Sequence, residues 1–559
     1  MSEAPPATRG GLLVGPPDLL SARPASRAGA VAFGVALLFL AFWDLAGRSL
    51  HHADVPRFAV IAREMLRTGD WLLPTQHGEP YANKPILYVW LVGLASLPTG
   101  LPSAFTVRLP SALAFVATAW VTAAWARRRS GSATCGHLAG LLFATTFFAS
   151  ALGRSGRPDM CATAFGTAAA AWLDGAVLGS GRRRDAWLAG ACLGAGLLTK
   201  GPVVLLLPLA IVLLPRPTVS IGARLARARL GIVLPVAALV AALWIVPAWL
   251  RAGSGFVENL VVRQTLERVA GQANHVEPWW YYGPSLLASA LPWTPAFLAL
   301  PARFASAAVR ARLGDAVPVL AALVCLVVLT LVPTKQVRYA LIVIPPLAVA
   351  TAQAACDLAA GLPRGRALYH LLRGVAIVSL LAVAGAGVIA ARWPAALPFV
   401  LPPLLFVAVF AVSAFPFAAR SDATGTALAG RAVGLAVVFF ACGLVTYWAL
   451  LGRYLVPRAV AENEAVAAVL EPGVPIVLFA PTSADGLEPD DLYLAAPDAG
   501  LVRDVARIPR PATAPRLIVV CLDGDAAAVA AARGEASRVA LEHPRPGGRA
   551  LRVLRFGPS

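Results

Sequence analysis

The chain has 559 residues, of which 58% are hydrophobic and only 14% are charged, and its mean hydropathy is +0.70. Because soluble domains carry about one-quarter charged residues, this composition excludes an ordinary soluble protein and indicates a polytopic membrane protein. The formal net charge is +19, but the arginines stand in short clusters between apolar segments rather than along one face. That spacing is typical of cytoplasmic loops of membrane proteins, so we expect no nucleic-acid partner.

Apolar segments predict a helical membrane domain embedded in the lipid bilayer. The segment PILYVWLVGLASLP at 85–98 is short for a span and is predicted to be interfacial or re-entrant. TKGP at 199–202 is predicted to divide the apolar block 186–214 into two short helices. With 85–98 not crossing, the arginine clusters fall on the side of the N-terminus, which predicts 13 transmembrane helices, an inner N-terminus and an outer C-terminus. The predicted spans are 29–47, 105–126, 137–153, 160–178, two within 186–214, 231–250, 281–301, 316–333, 339–360, 371–391, 396–417 and 432–452.

The chain changes character at about residue 457. VPIVLFA and RLIVVCL are typical of buried strands, and VAENEAVAAVL and DAAAVAAARGEA are typical of helices. We therefore predict a small α/β domain without a recognisable catalytic motif, as a structural or acceptor-docking module. The predicted organisation is a cytoplasmic tail at 1–28, a membrane domain at 29–456 with large outer loops at 48–104 and 251–280, and the outer α/β domain at 457–559.

Neither the cysteines nor the histidines form a pattern of metal ligands. The seven cysteines stand singly, mostly within apolar runs, so we expect small hydrophobic residues rather than disulfides or zinc ligands. The histidines in the predicted outer loops show no HxxxH or HExxH spacing, which leaves a metal site without support. No strand–GxGxxG–helix unit is present, and we predict no cofactor.

The first outer loop is crowded with charges for so apolar a chain: DVPRFAVIAREMLRTGDWLLPTQHGEPYANKP, residues 54–85. Apolar residues recur at helical spacing from Phe58 to Leu66, which predicts an amphipathic helix lying on the membrane and ended by Gly69. Asp54 at the start of this helix is either an N-cap or a catalytic carboxylate, and spacing leaves both open. Asp159, in GRSGRPDM, has the same two alternatives at the outer start of another helix.

Lysine usage gives an independent indication of a site. Among the 48 Lys and Arg residues only three are lysines, Lys84, Lys200 and Lys335, and all three fall in polar breaks on the predicted outer side. An ammonium is a compact cation suited to binding a phosphate as a point charge. Arg338 and Tyr339 follow the third lysine in TKQVRY. The pattern indicates a phosphate-binding site at the outer membrane face.

Several spaced motifs resemble those of the aminoarabinose lipid A transferases, which together with the protein O-mannosyltransferases are GT-C type membrane glycosyltransferases. After the stretch 54–85, the motifs SAFTVRLPSAL, RSGRPDM, LTKGPVVLLLPL, HVEPWWYYGPSLLASALPWTP and TKQVRYALIVIPPLAVA follow in the order of that group. The resemblance covers about 30–360, and 361–559 match only in general layout. It implies an integral enzyme of the bacterial inner membrane that moves a sugar from a polyprenyl (undecaprenyl) phosphate carrier to a lipid A, glycan or protein acceptor at the periplasmic face.

The resemblance also implies site residues. Asp54 matches the catalytic Asp of the first loop, Asp159 the second acidic position, and Lys84 the lysine that binds the carrier phosphate. Val55 and Asn83 depart from the family pattern, which usually has Glu at both places, so substrate and metal binding by relatives do not carry over. The predicted site residues are Asp54 and Asp159 as catalytic groups, and Lys84, Arg57, Tyr81, Lys200, Lys335, Arg338, Tyr339 and His275 as donor- and substrate-binding groups.

The residues themselves favour the same donor. No inner loop is large enough for a nucleotide-sugar domain, so an enzyme acting outside needs a sugar delivered on a lipid phosphate, with cations stabilising the leaving phosphate. A transporter or flippase of lipid-linked sugar is the main alternative, because breaks such as TKGP are typical of transporters. Against it, the polar residues cluster at one face and no inverted halves are evident. A scaffold whose α/β domain binds a partner is the third alternative.

Overall fold

The structure, a computed structural model, describes most of the first 359 residues and part of the last hundred. Asp54, His275 and the predicted spans 371–391, 396–417 and 432–452 lie outside the described residues. The described ranges are 27–43, 45–46, 55–179, 181–216, 219–267, 270, 276–291, 293–303, 313–359, 465–471, 473–479, 500–502, 504–544 and 550–557.

The N-terminal part is built from helices that pack around one large apolar core. A small hairpin and three segments of 3₁₀ or π geometry interrupt them. In chain order the elements are α1 (Arg27–Phe42), α2 (Val55–Thr68), strands β1 (Thr75–Gln76) and β2 (Glu79–Pro80), α3 (Leu87–Ser96), α4 (Ala104–Ser130), α5 (Ala133–Ala144), α6 (Phe147–Gly153), α7 (Pro158–Leu178), α8 (Arg183–Lys200), a 3₁₀ segment (Pro202–Leu205), α9 (Leu206–Leu213), α10 (Ile221–Ala228), α11 (Leu230–Ala252), α12 (Ser254–Val257), a π-helical segment (Glu258–Glu267), α13 (Tyr282–Ser289), α14 (Thr294–Arg303), α15 (Leu313–Leu331), a second 3₁₀ segment (Val337–Val343) and α16 (Ile344–Ala359).

Helix α7 occupies the centre of this part and packs against α8, α4 and α9. Its sequence is rich in Ala, Gly and Thr, and most of its residues are buried. Small side chains let helix backbones approach closely, which is how helices pack in membranes. Helices α8 and α11 also pack closely at a small residue, since a Cβ added at Gly194 of α8 would lie 2.5 Å from Cβ of Val240 in α11.

The helical membrane architecture is confirmed in the described part of the chain. There, α4, α7, α11 and the stretch Val337–Cys356 are each long and apolar enough to cross a bilayer. Helices α5 and α6 form an apolar pair bent by 71°, which is either one broken span or a re-entrant loop. The total of 13 spans stays a prediction.

Three segments of the helical part are short or interrupted. The ten residues of α3 reach about 15 Å, half of the roughly 30 Å hydrocarbon core, which agrees with a segment that does not cross. The block 186–214 is broken at Gly201 (φ 80°) between α8 and the 3₁₀ segment that precedes α9. Within the predicted span 281–301 the helix is interrupted between α13 and α14, and its crossing of the membrane stays a prediction.

The amphipathic helix predicted for the stretch 54–85 is confirmed as α2, and it ends where Gly69 adopts φ 70°. Its apolar face, however, packs on protein rather than lying on the membrane. Phe58 meets the ring of Tyr88 in α3 at a centroid distance of 5.0 Å, and Met65 contacts Gly93 of α3. Because α3 supplies an apolar surface, α2 buries its stripe inside the molecule.

The far end of α7 carries a buried ion network around Asp174. Its carboxylate accepts hydrogen bonds from Trp125 Nε1 at 2.7 Å, Arg129 at 2.8 Å and Arg216 at 2.7 Å. Arg227 donates to the carbonyl of Val177 at 3.0 Å, near the end of the same helix. Arginines that the sequence assigned to inner loops therefore turn inward, where they neutralise Asp174 and cap α7.

The C-terminal described residues form a small α/β unit, as the sequence predicts, although the predicted boundary at 457 lies outside the described residues. Its sheet has the order β4-β3-β5-β7-β6, with β3 parallel to β4 and β5 and the other pairs antiparallel. Apolar side chains of β5 alternate between a cluster around Val466 on one face and a cluster around Val529 on the other. Burial on both faces explains the continuous apolar run RLIVVCL. The elements are β3 (Ile476–Phe479), β4 (Gly500–Val502), β5 (Leu517–Leu522), β6 (Arg538–Pro544), β7 (Ala550–Phe556), α17 (Ala526–Arg533) and a helical turn at 465–469.

The arginine pattern predicts which end of the bundle faces the cytoplasm. Glu79 is exposed in the hairpin and Arg183 is exposed at the start of α8. In intact spheroplasts, we expect a cysteine at Glu79→Cys to react with an impermeant maleimide, and one at Arg183→Cys to react only after permeabilisation. The unsubstituted chain is the control. Labelling of Arg183→Cys from outside would reverse the predicted orientation.

The Asp174 network predicts a stability effect. In Asp174→Asn the guanidinium groups of Arg129 and Arg216 stay buried without their counter-ion. Breaking a buried ion pair in this way costs about 3–5 kcal/mol of unfolding free energy, so the apparent melting temperature in detergent should fall markedly. The matched control is the same acid-to-amide change at the exposed Glu79. Equal melting temperatures for both variants would contradict a stabilising network.

Candidate functional site

A pocket of about 60 Å³ lies at the end of α7 opposite to Asp174. Between Asp159 and Asp174, fifteen residues of α-helix place the two ends about 22 Å apart. Five separate segments of the chain converge here. The lining residues are Asn83, Lys84 and Pro85 before α3, Pro158 and Asp159 of α7, Lys200 and Gly201 at the end of α8, Leu260 and Gln264 of the π-helical segment, and Arg338 and Tyr339 of the second 3₁₀ segment.

Asp159 is the central carboxylate of this pocket. It is only 3% exposed, it forms an ion pair with the ammonium of Lys200, and Nε of Arg338 lies 3.8 Å from its Oδ1. The N-cap of α7 is Arg157, so Asp159 lies inside the first turn and does not cap the helix. The side chain is therefore committed to cations of the pocket.

Lys200 reaches Asp159 because α7 and α8 are consecutive antiparallel helices. It is the last residue of α8, and Asp159 lies in the first turn of α7. A negative charge at a helix N-terminus and a positive charge at a C-terminus are both stabilised by the helix dipoles. The Lys200 ammonium also lies 4.5 Å from the ring centroid of Tyr339, within the range of a cation–π contact. The ring of Tyr339 and the carboxylate of Asp159 together fix the position of the ammonium.

Lys84 approaches the pocket from the segment between α2 and α3, which the sequence predicts as the first outer loop. Its Nζ lies 5.8 Å from the ring centroid of Phe58 in α2, and it lines the pocket together with Asp159. The packing of Phe58 on Tyr88 joins α2 and α3 on either side of this lysine. The position of Lys84 thus depends on the buried apolar face of α2.

The hairpin that leads to Lys84 is held by Glu64 of α2. The Glu64 carboxylate accepts hydrogen bonds from Thr75 Oγ1 at 2.5 Å, from the backbone N–H of His77 at 2.6 Å and from that of Gly78 at 3.2 Å. His77 and Gly78 both have positive φ, 56° and 80°, as the favoured two-residue hairpin turn requires. Sequence reasoning missed this anchor, although HG flanked by short extended segments is a hairpin signal.

The two predicted outer loops contact one another at this end of the molecule. Arg251, at the end of α11, forms an ion pair with Asp70 at 2.8 Å. Trp244 Nε1 of α11 donates to the carbonyl of Leu72 at 2.9 Å. These contacts connect the segment that carries Gln264 to the segment that carries Lys84.

Some predicted site residues do not line the pocket. Lys335 is buried, and its ammonium donates to the carbonyls of Glu277 at 2.8 Å and Pro333 at 3.3 Å. Tyr81 is buried beside the hairpin, where its N–H donates to the carbonyl of Pro74 at 2.8 Å, and Arg57 is half-buried in the first turn of α2. Asp54 and His275 lie outside the described residues.

Gln264 is the lining residue that sequence reasoning missed. It lies on the π-helical segment, whose wider turn shifts side chains away from the 3.6-residue spacing. Hydrophobic periodicity assumes that spacing, so no motif marked this glutamine. Its approach to Lys84 and Arg338 becomes evident only from the packing of distant segments.

Metal ligands and cysteines contribute nothing to the described pocket. Among the described residues, no three of His, Cys, Asp or Glu are grouped so that they could hold a metal ion. The six cysteines that the structure describes are free and buried or half-buried. They are small hydrophobic residues, as the sequence predicts.

Comparison with known proteins relates the N-terminal half of the chain to lipid-phosphate-dependent glycosyltransferases. Residues 29–261 match the family model of dolichyl-phosphate-mannose-protein mannosyltransferase. An undecaprenyl phosphate-alpha-4-amino-4-deoxy-L-arabinose arabinosyl transferase of Pseudomonas fluorescens (strain Pf0-1) is 30% identical over 272 residues, 46% of this chain and 46% of that protein. A transferase of the same description from Edwardsiella ictaluri (strain 93-146) is 31% identical over 271 residues, 47% of this chain and 48% of that protein.

The likeness of fold extends over nearly the whole chain. The crystal structure of ArnT from Cupriavidus metallidurans bound to undecaprenyl phosphate has a TM-score of 0.73 and 21% sequence identity, and the match covers 96% of this chain and 100% of that one. The resemblance deduced from the sequence motifs is thereby confirmed, and the chain has the GT-C fold of ArnT. The chain spans about half the length of the curated relatives that it matches in sequence.

Proposed function

We propose that the chain is an integral membrane glycosyltransferase that moves a sugar from a polyprenyl phosphate carrier to a lipid, glycan or protein acceptor. The observation that carries this proposal is the convergence of Lys84, Lys200 and Arg338 on one pocket at one end of the helical bundle. Cations held by a protein scaffold stabilise the negative charge that develops on a leaving phosphate. The names of the sequence relatives, which act with undecaprenyl phosphate, agree with this donor.

Lys84 is the proposed ligand of the carrier phosphate. It lines the pocket beside Asp159, whose ion pair is with Lys200. An ammonium binds phosphate as a point charge from any direction, which suits a donor that enters from the bilayer. Arg338 and Tyr339, on the opposite wall, supply a further cation and a phenol.

Asp159 is proposed to position cations rather than to remove a proton. Its ion pair with Lys200 and its proximity to Arg338 favour a permanently charged carboxylate. The sequence leaves a helix cap and a catalytic group as the alternatives for Asp159, and the role proposed here is a third one, in which Asp159 orients Lys200 and Arg338 toward the phosphate.

Asp54 is the proposed general base. Its described neighbour Val55 packs closely on Gly156, where a Cβ would lie 2.9 Å from Val55 Cγ1. Gly156 precedes Asp159 by three residues, and adjacent Cα atoms are 3.8 Å apart. This supports a place for Asp54 near the pocket, although a helix cap at the start of α2 remains the alternative to be tested.

The proposed reaction is a displacement at the anomeric carbon of the sugar. The bond between that carbon and the phosphate oxygen breaks, and a bond to the acceptor oxygen forms. Asp54 takes the hydroxyl proton of the acceptor, while Lys84 stabilises the polyprenyl phosphate that leaves. The bond broken, the bond formed and the proton transferred balance, so the step needs no nucleotide.

We further propose that the pocket faces the periplasm of a bacterial inner membrane, with the N-terminus in the cytoplasm. The separation of the lysine-lined pocket from the arginines around Asp174 supports this orientation, because arginine-rich ends face the cytoplasm. The C-terminal α/β unit would then lie on the periplasmic side as a structural or acceptor-docking module.

One experiment separates a transferase from a flippase of lipid-linked sugar. Purified protein in detergent is incubated with a sugar-loaded polyprenyl phosphate and an extract of bacterial envelope lipids and glycans as acceptors. A transferase releases free polyprenyl phosphate in proportion to the sugar transferred. Movement of the intact lipid between leaflets of a vesicle, with no release, would establish the flippase instead.

Loss of the Lys84 ammonium should weaken binding of the carrier. We expect Lys84→Ala to weaken the affinity for polyprenyl phosphate by about 1.5–3 kcal/mol, the usual contribution of a charged hydrogen bond. Lys84→Arg should recover only part, because the planar guanidinium has a different shape. Affinity is measured by competition with a fluorescent polyprenyl phosphate. The control is Arg67→Ala, which removes an exposed cation of α2 away from the pocket. Wild-type affinity in Lys84→Ala would assign the phosphate to Lys200 or Arg338.

Asp54→Asn decides between a base and a cap. Asn caps a helix as well as Asp does, so the cap alternative predicts an active variant. A general base needs the charge, so we expect turnover to fall by about 10²–10⁴-fold while carrier affinity stays near wild type. Transfer is measured at matched protein level, with Glu79→Gln as the control for an acid-to-amide change in the same loop. Near-normal turnover in Asp54→Asn would support the helix-cap alternative and contradict a catalytic role of Asp54.

A further inference from the structure

Two buried hydroxyl groups connect three helices beside the pocket. The hydroxyl of Tyr88 in α3 lies 2.8 Å from the carbonyl oxygen of Val107 and 2.9 Å from Oγ of Ser111, both in α4. Ser111 Oγ in turn donates to the carbonyl of Arg157, the N-cap residue of α7, at 2.7 Å. A bridge of hydrogen bonds therefore runs from α3 through α4 to the start of α7.

Each end of this hydroxyl bridge adjoins one wall of the pocket. Tyr88 follows Lys84 by four residues, and Arg157 precedes Asp159 by two. Lys84 and Asp159 line the pocket, but the two hydroxyl groups are not among its described lining residues. The bridge therefore joins the segment that carries the lysine to the helix end that carries the carboxylate.

Both hydroxyl groups are enclosed by protein. Tyr88 is 1% exposed and Ser111 is 0% exposed, so water does not compete for their hydrogen bonds. A hydrogen bond is stronger in such surroundings, and a polar group that loses its partner there is heavily penalised. The ring of Tyr88 is held separately by its edge-to-face contact with Phe58 of α2. Burial thus makes the bridge a rigid spacer rather than a surface contact.

The turn that precedes α7 has little room to move independently of α4. Gly156 adopts φ 79°, and a Cβ added there would lie 3.3 Å from Cγ1 of Val107. In the first turn of α7, Sγ of Cys161 lies 3.5 Å from the carbonyl oxygen of Pro110 in α4. The start of α7 is therefore held against α4 on both sides of Arg157, where the hydroxyl bridge ends.

We propose that Tyr88 and Ser111 are positioning residues, which hold two walls of the pocket at the spacing that a bound carrier phosphate requires. The walls are those of Lys84 and of the Asp159–Lys200 pair. This proposal rests on the proposed function and adds the device that keeps its site in shape. The two hydroxyl groups act through the backbone segments that carry the charged side chains. A displacement of about 1 Å is enough to impair such a site.

Removal of single hydroxyl groups tests the proposal. Tyr88→Phe keeps the ring contact with Phe58 and breaks the bridge at α3, whereas Ser111→Ala breaks it at both α3 and α7. The affinity of the purified full-length protein for undecaprenyl phosphate is measured by competition with a fluorescent polyprenyl phosphate. We expect each variant to weaken this affinity about three- to tenfold, which corresponds to the loss of an ordinary hydrogen bond.

Combination with the lysine variant distinguishes positioning from general stability. If the hydroxyl of Tyr88 acts through Lys84, Tyr88→Phe should not weaken the affinity further in a Lys84→Ala background. The control is Thr122→Val, which should leave the affinity unchanged. The hydroxyl of Thr122 is equally buried in α4 and donates to the carbonyl of Thr118 at 2.7 Å, but it lies eleven residues, about 16 Å, along the helix from Ser111.

The outcomes separate this proposal from the proposed function. Wild-type affinity in both hydroxyl variants overturns the positioning role. An equal loss of affinity with and without Lys84 also overturns it, because the hydroxyl would then act on stability alone. If Tyr88→Phe does not fold, Ser111→Ala in the same two backgrounds gives the same comparison. Failure of the unsubstituted chain to bind undecaprenyl phosphate would instead overturn the proposed function.

Discussion

The contact between Asp159 and Lys200 is the interaction on which the site depends. Antiparallel packing of α7 and α8 brings the start of one helix to the end of the other, so the carboxylate and the ammonium meet where both helix dipoles favour their charges. A buried ion pair is costly unless both partners are present and well placed. The pair therefore fixes the relative positions of the two helix ends. Tyr339 and Arg338 pack against the same pair, which ties the second 3₁₀ segment to the helices and completes the pocket.

The two ends of α7 use different cations for different purposes. Around Asp174, the guanidinium groups of Arg129 and Arg216 share one buried carboxylate, and their planar geometry suits several fixed hydrogen bonds at once. At the pocket, two of the three cations are lysines, whose ammonium groups can follow a ligand of variable position. The arginine end is thus a buried ion network, whereas the lysine end is the proposed phosphate site. Of the three lysines, Lys84 and Lys200 line the pocket, whereas Lys335 donates to two backbone carbonyls outside it.

Sequence reasoning predicted the parts of the site that depend on local signals. Lysine scarcity and helix breaks marked Lys84 and Lys200, and the structure brings both to one pocket with Asp159, Arg338 and Tyr339. It did not predict that Lys335 bonds two carbonyls, because that outcome depends on a contact between segments almost sixty residues apart. The Asp174 network and Gln264 were missed for related reasons. Neither ion pairing between helices nor π-helical geometry produces a periodic pattern in the sequence.

The pocket is composed of segments inside and outside the region of sequence similarity. Lys84, Asp159, Lys200 and Leu260 lie within the family match at 29–261, whereas Arg338 and Tyr339 lie beyond it. The fold continues across that boundary at 21% identity, so the backbone scaffold is retained while most side chains differ. A fold of this kind fixes where the pocket lies, but the side chains that line it decide which substrate is bound. The names of relatives that share half of the chain are therefore a weaker guide to the donor of this protein than the side chains that line its pocket.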